Sequence, residues 1–133
     1  GASAVIEFSA VTYSNKFKIK MGVKKDLIET YTVYSMEVAR AMAFEISNSA
    51  GSDYGIGVTG QINRIDPANI VGECNKIYVA IYDRKNDIYK TVVINAIDAS
   101  RKENKEYIID EIVKLMREVL QIKKQKELVK IYK

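Results

Sequence analysis

Residues 4–13 (AVIEFSAVTY) are rich in β-branched and aromatic side chains, a composition that predicts a strand. The spacing then changes. Asn15 to Met21 reads as a short helix that stops near Gly22. Ser35 is a suitable N-cap, and Val38, Met42 and Ile46, with Ala39 and Ala43, recur at helical spacing until Gly51 supplies a stop. Tyr54 to Val58 predicts a short strand running into Thr59-Gly60. A loop with the only proline, Pro67, follows; long loops in compact domains are often functional. Ile77–Tyr82 is almost wholly apolar, as a strand buried on both faces would be. The polar run Asp83 to Asp87 predicts a turn, and Ile88–Ile94 the returning arm of a hairpin. Ser100-Arg101-Lys102-Glu103 has capping-box form. It opens a long helix with Ile108, Ile112, Leu115, Val119 and Ile122 on one stripe. The resulting order, β-α-α-β-β-β-α, argues for an α/β layered domain.

The chain has 133 residues and suits one domain, 1–133, with no internal repeat or linker. No run approaches the roughly 18 apolar residues of a membrane helix, so no membrane partner is expected. One cysteine, Cys74, excludes an internal disulfide and fits a reducing, cytoplasmic setting. Without a histidine partner, Cys74 reads as a small filler on a strand rather than a nucleophile. The absence of histidine also excludes a Ser-His-Asp triad and histidine-based metal sites within these residues, and no metal or other cofactor is called for. The net charge of +4 raises nucleic acid as a partner. However, the excess basic residues cluster in two places, at 16–25 and 123–133, and no recognised binding motif accompanies them. The second run reads as a solvated helix face, which argues against nucleic acid.

Several short motifs occur in a fixed order. Tyr13-Ser14-Asn15-Lys16-Phe17-Lys18 is similar to a YSN-x-x-K motif, and Met21-Gly22-Val23 follows it. Ser35 to Ala43 matches S-x-E-V-A-x-x-M-A, Val58-Thr59-Gly60 matches (V/I)-(T/S)-G at a strand end, and Val71-Gly72 precedes the next strand. Together they resemble the C-terminal domain of the competence-damage protein CinA, a family that contains nicotinamide-nucleotide amidases. The resemblance implies a three-layer α/β/α sandwich on a mixed, mostly parallel sheet. Family members begin with a helix, a strand and an A-E-S-C-T-G-G turn that carries the nucleophile, and this chain lacks that segment. Gly1-Ala2-Ser3-Ala4 looks like the family's internal G-S-S-A, so the domain is expected to be N-terminally incomplete. A further strand is expected beside residues 5–13.

The resemblance implies that Lys18 is the base for a serine that attacks a nicotinamide carboxamide. A Ser–Lys pair needs a neutral amine, which burial or a neighbouring cation favours. Alternatively, Lys18 is one of five exposed lysines. The resemblance also implies substrate contacts from Tyr13, Ser14 and Asn15, although Ser14 or Asn15 can equally serve as the helix N-cap. Thr59 and Gly60 can present backbone N–H groups to an oxyanion or phosphate. Arg101, which roughly matches the arginine of a G-D-R motif, can pair with a phosphate or with an acidic side chain. The loop after Gly60 departs from the family: Gln61-Ile62-Asn63-Arg64 replaces a glycine-rich stretch and removes close backbone approach to a ligand. Arg64 could hold a phosphate or simply be solvated.

Two functions follow. One is deamidation of nicotinamide mononucleotide to the nicotinate form, with a small-molecule nucleotide as substrate and no activity from these residues alone. The other is a non-catalytic relative that binds a nucleotide or a protein. The sequence leaves a homo-oligomer open.

Overall fold

A computed structural model describes residues 6–12, 14–64, 67 and 73–132. The elements are α1 (Asn15–Lys20), α2 (Lys25–Tyr31), α3 (Met36–Ala50), β1 (Tyr54–Gly60), β2 (Lys76–Asp83), β3 (Ile88–Asn95) and α4 (Arg101–Tyr132). The sheet has the order β1-β2-β3. Both ladders are antiparallel, with Gly57 opposite Ala80 and Ala80 opposite Thr91.

The α/β class holds, with helices on both faces. The expected mostly parallel character does not extend to the described sheet. A parallel pair needs a long crossover, whereas the short turn at 84–87 joins β2 to β3 directly and so makes them antiparallel. The strand expected over 4–13 is not formed over residues 6–12, and positions 4, 5 and 13 lie outside the described residues. Its β-branched composition is suitable, but the segment has no ladder partner among the described residues, and a strand exists only through its partner. Helix α2 has no counterpart in the hydrophobic pattern. It contains no buried residue and no side-chain cap, with Asp26 in its first turn and an exposed Lys25–Glu29 pair at 3.3 Å.

The two faces of the sheet pack differently. On one, α3 lies directly against the backbone of β1. A Cβ built on Gly57 would overlap the Ala39 carbonyl oxygen, and one on Gly55 the Ala43 carbonyl oxygen. Glycines facing alanines therefore set the helix–sheet distance. Ala80 and Tyr82 of β2 complete this layer with Ala39 and Ala43. On the other face, Ile77, Val79, Ile81 and Ile94 pack against Ile108 and Leu115 of α4. The stripe expected of α4 is thus its core face, although Ile122 is exposed.

The caps follow the sequence. Ser35 Oγ accepts from Val38 N at 3.3 Å, and Gly51 closes α3 at φ 65°. Ser100 and Glu103 form the capping box, with Glu103 N donating to Ser100 Oγ at 3.2 Å. Arg84 ties the β2–β3 turn to the end of α3, donating to the carbonyls of Ser52 at 2.7 Å and Gly51 at 3.0 Å. Tyr82 donates its hydroxyl proton to Asp87 Oδ1 at 2.8 Å, which pushes the phenol up to about 12. Cys74 lies exposed in the turn before β2, not on a strand.

Candidate functional site

Helix α1 starts at Ser14, whose Oγ accepts from Phe17 N at 3.3 Å. Ser14 is therefore the N-cap, and Asn15 is the first helical residue. One turn further on, Lys18 is only 7% exposed, and its Nζ donates to the Thr12 carbonyl oxygen. The reading of Lys18 as an exposed lysine is thereby excluded. Its neighbours Lys16 and Lys20 are exposed, because residues two apart on a helix point in different directions.

Lys18 lines a cavity of about 670 Å³. Residues 6–10 and Thr12 form one wall, and Tyr54, Gly55 and Ile56 of β1 form another. Met42, Glu45 and Ile46 contribute from α3, and Met116 from α4. Most of this lining is apolar. Lys18 and Glu45 bring opposite charges to it, and the Glu45 side chain fills the space over Gly22. Glu45 was missed from sequence. The available signal was a carboxylate flanked by Met42 and Ile46 on a face otherwise directed inward.

The other expected site residues are distributed elsewhere. Tyr13 lies outside the described residues. Thr59 is buried, and its hydroxyl donates to the Val33 carbonyl at 2.9 Å. Gly60 ends β1 against the backbone of Lys76 and Ile77. Both sit at the end of β1 away from the cavity-lining Tyr54–Ile56 stretch. Arg101 opens α4 and donates to the Ile62 carbonyl at 2.6 Å, so its described bond is neither to a phosphate nor to an acidic side chain.

An asparagine network, also unread in the sequence, holds the base of the 61–75 loop. Asn104 is wholly buried. Its Oδ1 accepts from Ile97 N at 2.8 Å and its Nδ2 donates to Asn63 Oδ1 at 3.1 Å. Asn63, at φ 61°, donates its backbone N–H to Asn75 Oδ1 at 2.8 Å. These bonds pin the loop base at the point where the sequence departs from the family's glycine-rich stretch. Among the described residues, no group of three His, Cys, Asp or Glu side chains could hold a metal ion, and no helix is long and apolar enough to cross a membrane.

The model of the CinA C-terminal domain family matches residues 1–120. The chain belongs to this family. A competence-damage inducible protein of Clostridium kluyveri is 32% identical over 117 residues, covering 77% of this chain and 28% of that protein. One from Clostridium botulinum is 49% identical over 61 residues, 45% of this chain and 15% of that protein. The chain thus spans well under half the length of these CinA relatives. Among solved structures, a CinA superfamily protein of Klebsiella pneumoniae aligns with a TM-score of 0.69 at 15% identity, covering 84% of this chain and 68% of that one. The competence/damage inducible protein of Agrobacterium tumefaciens gives 0.65 at 20% identity, covering 79% and 66%. At these identities the structures establish the shared fold.

Proposed function

We propose that this chain is the lysine-bearing part of a nicotinamide mononucleotide amidase of the CinA family. The observation that carries the reading is Lys18, which stands at the YSN-x-x-K position of the motif, is buried, and lines a cavity of about 670 Å³. In the reaction implied by the resemblance, a serine hydroxyl adds to the carboxamide carbon while the lysine amine takes its proton. Ammonia leaves with a proton, and water then cleaves the acyl-enzyme to the acid. The A-E-S-C-T-G-G nucleophile turn is not among these residues. The lysine therefore supplies half of the pair, and the 133 residues alone do not turn over substrate.

The natural reading frame that encodes this chain, expressed in full, releases ammonia from nicotinamide mononucleotide. Lys18→Met lowers kcat by about 100-fold or more, the scale of a lost positioned base. Lys16→Met and Lys20→Met, on exposed positions, have mild effects. Equal losses from all three would make Lys18 part of a general basic field and end the base assignment.

A non-catalytic binding relative is the second reading. The observation in its favour is the 61–75 loop, whose base is fixed by Asn63, Asn75 and Asn104 in place of mobile glycines. Nucleotide binding without ammonia release by the full reading frame would select it.

A further inference from the structure

The net charge of +4 is confined to one stretch of the chain. Residues 1–120 hold sixteen basic and sixteen acidic side chains and are neutral as a whole. Residues 121–133 hold five lysines, at 123, 124, 126, 130 and 133, against the single Glu127. The boundary coincides with the end of the family match at residue 120, and α4 crosses it without a break. The core stripe of α4 runs Ile108, Ile112, Leu115, Val119, in steps of four, three and four. The same pattern next falls on positions 123, 126 and 130, all lysine. Lysine thus succeeds the apolar face where the packed body ends. Lys123 marks the changeover, half-buried with its Nζ 5.6 Å from the centre of the Tyr54 ring. Lys124 and Lys126 stand exposed beyond it. At that end of the sheet Asp53, next to Tyr54 in sequence, already pairs with Lys85 at 3.6 Å. Lysines also complement a helix C-terminus, but that effect is confined to the last turn. Lys123, Lys124 and Lys126 lie more than a turn before Tyr132.

We propose that this stretch of α4 is a docking surface for the sugar-phosphate backbone of nucleic acid, bound without base selectivity. The sequence pattern alone reads the run as a solvated face. The structure adds the register that carries lysines along one side, and a break between a neutral body and a +4 extension. The apolar residues around the boundary argue against other anionic partners. Ile122 and Val129 fall on one side of the helix, and Leu120 and Leu128 on roughly the opposite side, all exposed. A lipid surface, or the groove of an acidic protein, takes an apolar stripe on a single side. A row of lysines without such a stripe suits a linear polyanion instead. Positions 123 to 130 span about 10 Å of helix axis at about 1.5 Å per residue. Over that length one nucleic-acid strand presents about three phosphates. Lysine is a point charge on a flexible stem and reaches them without a fixed geometry. Each contact releases counterions, which drives the binding. The proposal is independent of any amidase chemistry.

The test uses the purified chain and short fluorescein-labelled DNAs, single-stranded and duplex, read by fluorescence anisotropy. With about four phosphate contacts, affinity for the duplex falls by about 100-fold between about 50 and 200 mM salt. Lys124→Gln, Lys126→Gln and Lys130→Gln together weaken binding by about tenfold or more at the lower salt and make the salt slope shallower by about two to three. Lys16→Gln, Lys20→Gln and Lys24→Gln together remove the same charge from exposed positions elsewhere and change affinity by less than about twofold. Circular dichroism and thermal unfolding of both triple variants match the parent chain. Equal losses from the two triple variants would reduce the effect to overall charge and overturn the proposal. Undetectable binding to either DNA at the lower salt would leave the lysines as a solvated helix face and overturn it as well. Tighter binding to phosphatidylglycerol vesicles than to DNA would assign the surface to lipid. None of these outcomes depends on whether ammonia is ever released.

Discussion

Asn104 has no solvent exposure, and its amide bonds to the backbone around Ile97 and Ala99 and to the side chain of Asn63. Leucine has nearly the same size but no polar atoms. Asn104→Leu therefore takes away the partner of Ile97 N–H and of Asn63 Oδ1, in bonds that are part-buried. Each hydrogen bond lost costs about 0.5–1.5 kcal/mol net. The expected loss is about 2–3 kcal/mol in urea unfolding, with a lowered midpoint at constant slope. A change within about 0.5 kcal/mol, typical of an ordinary surface position, would show that water replaces the amide there. This network was illegible in the sequence because its members are far apart, at 63, 75 and 104, and an asparagine in the first turn of a helix usually signals only solvent contact. Lys18 was legible as a candidate through its motif. Its burial was not, because an isolated helix turn of alternating lysines looks solvated until the neighbouring elements are in place.

At the scale of elements, β1 and α3 show how a close approach is written in glycine. Tyr54-Gly55-Ile56-Gly57-Val58 places both glycines on the α3 side, and Ala39 and Ala43 meet them. Gly57→Ala puts a methyl group into the Ala39 carbonyl oxygen and must move the helix. Overpacking of this kind costs about 1–3 kcal/mol or more. Gly51 offers the contrast. A Cβ there meets nothing within 4 Å, and only its φ of 65° resists a side chain. Gly51→Ala is expected to cost about 1–2 kcal/mol, the left-handed backbone alone. Thermal unfolding of both variants checks the order, and Gly51→Ala as the more damaging would refute the tight-packing account. The helical and hairpin elements were legible because caps, stops and periods are local signals. The 6–12 segment was misread as a strand because strand composition is local whereas strand pairing is not. Helix α2 was missed because it buries nothing and so leaves no hydrophobic period to find.

For the whole molecule, the question is where the packed body ends along α4. The family match stops at residue 120, while the helix continues to Tyr132. Leu115 is buried in the core, and Val119 packs against the same cluster. Lys123 still reaches the body, with its Nζ 5.6 Å from the centre of the Tyr54 ring. Residues 124–129 are all exposed. A helix end without a packed face is held only by its own backbone bonds and weak propensity, and it frays readily. Deleting residues 124–133 should therefore change the unfolding free energy by no more than about 1 kcal/mol, within the range of surface changes. Leu115→Ala, by contrast, opens a cavity between α4 and β2 and should cost about 2–5 kcal/mol. The two are compared by urea unfolding at matched protein concentration. If the deletion costs as much as Leu115→Ala, the last turns of α4 are packed against something in solution. Repeating the measurement across a hundredfold range of concentration then decides between an intramolecular contact, which is independent of concentration, and a contact between copies, which weakens on dilution.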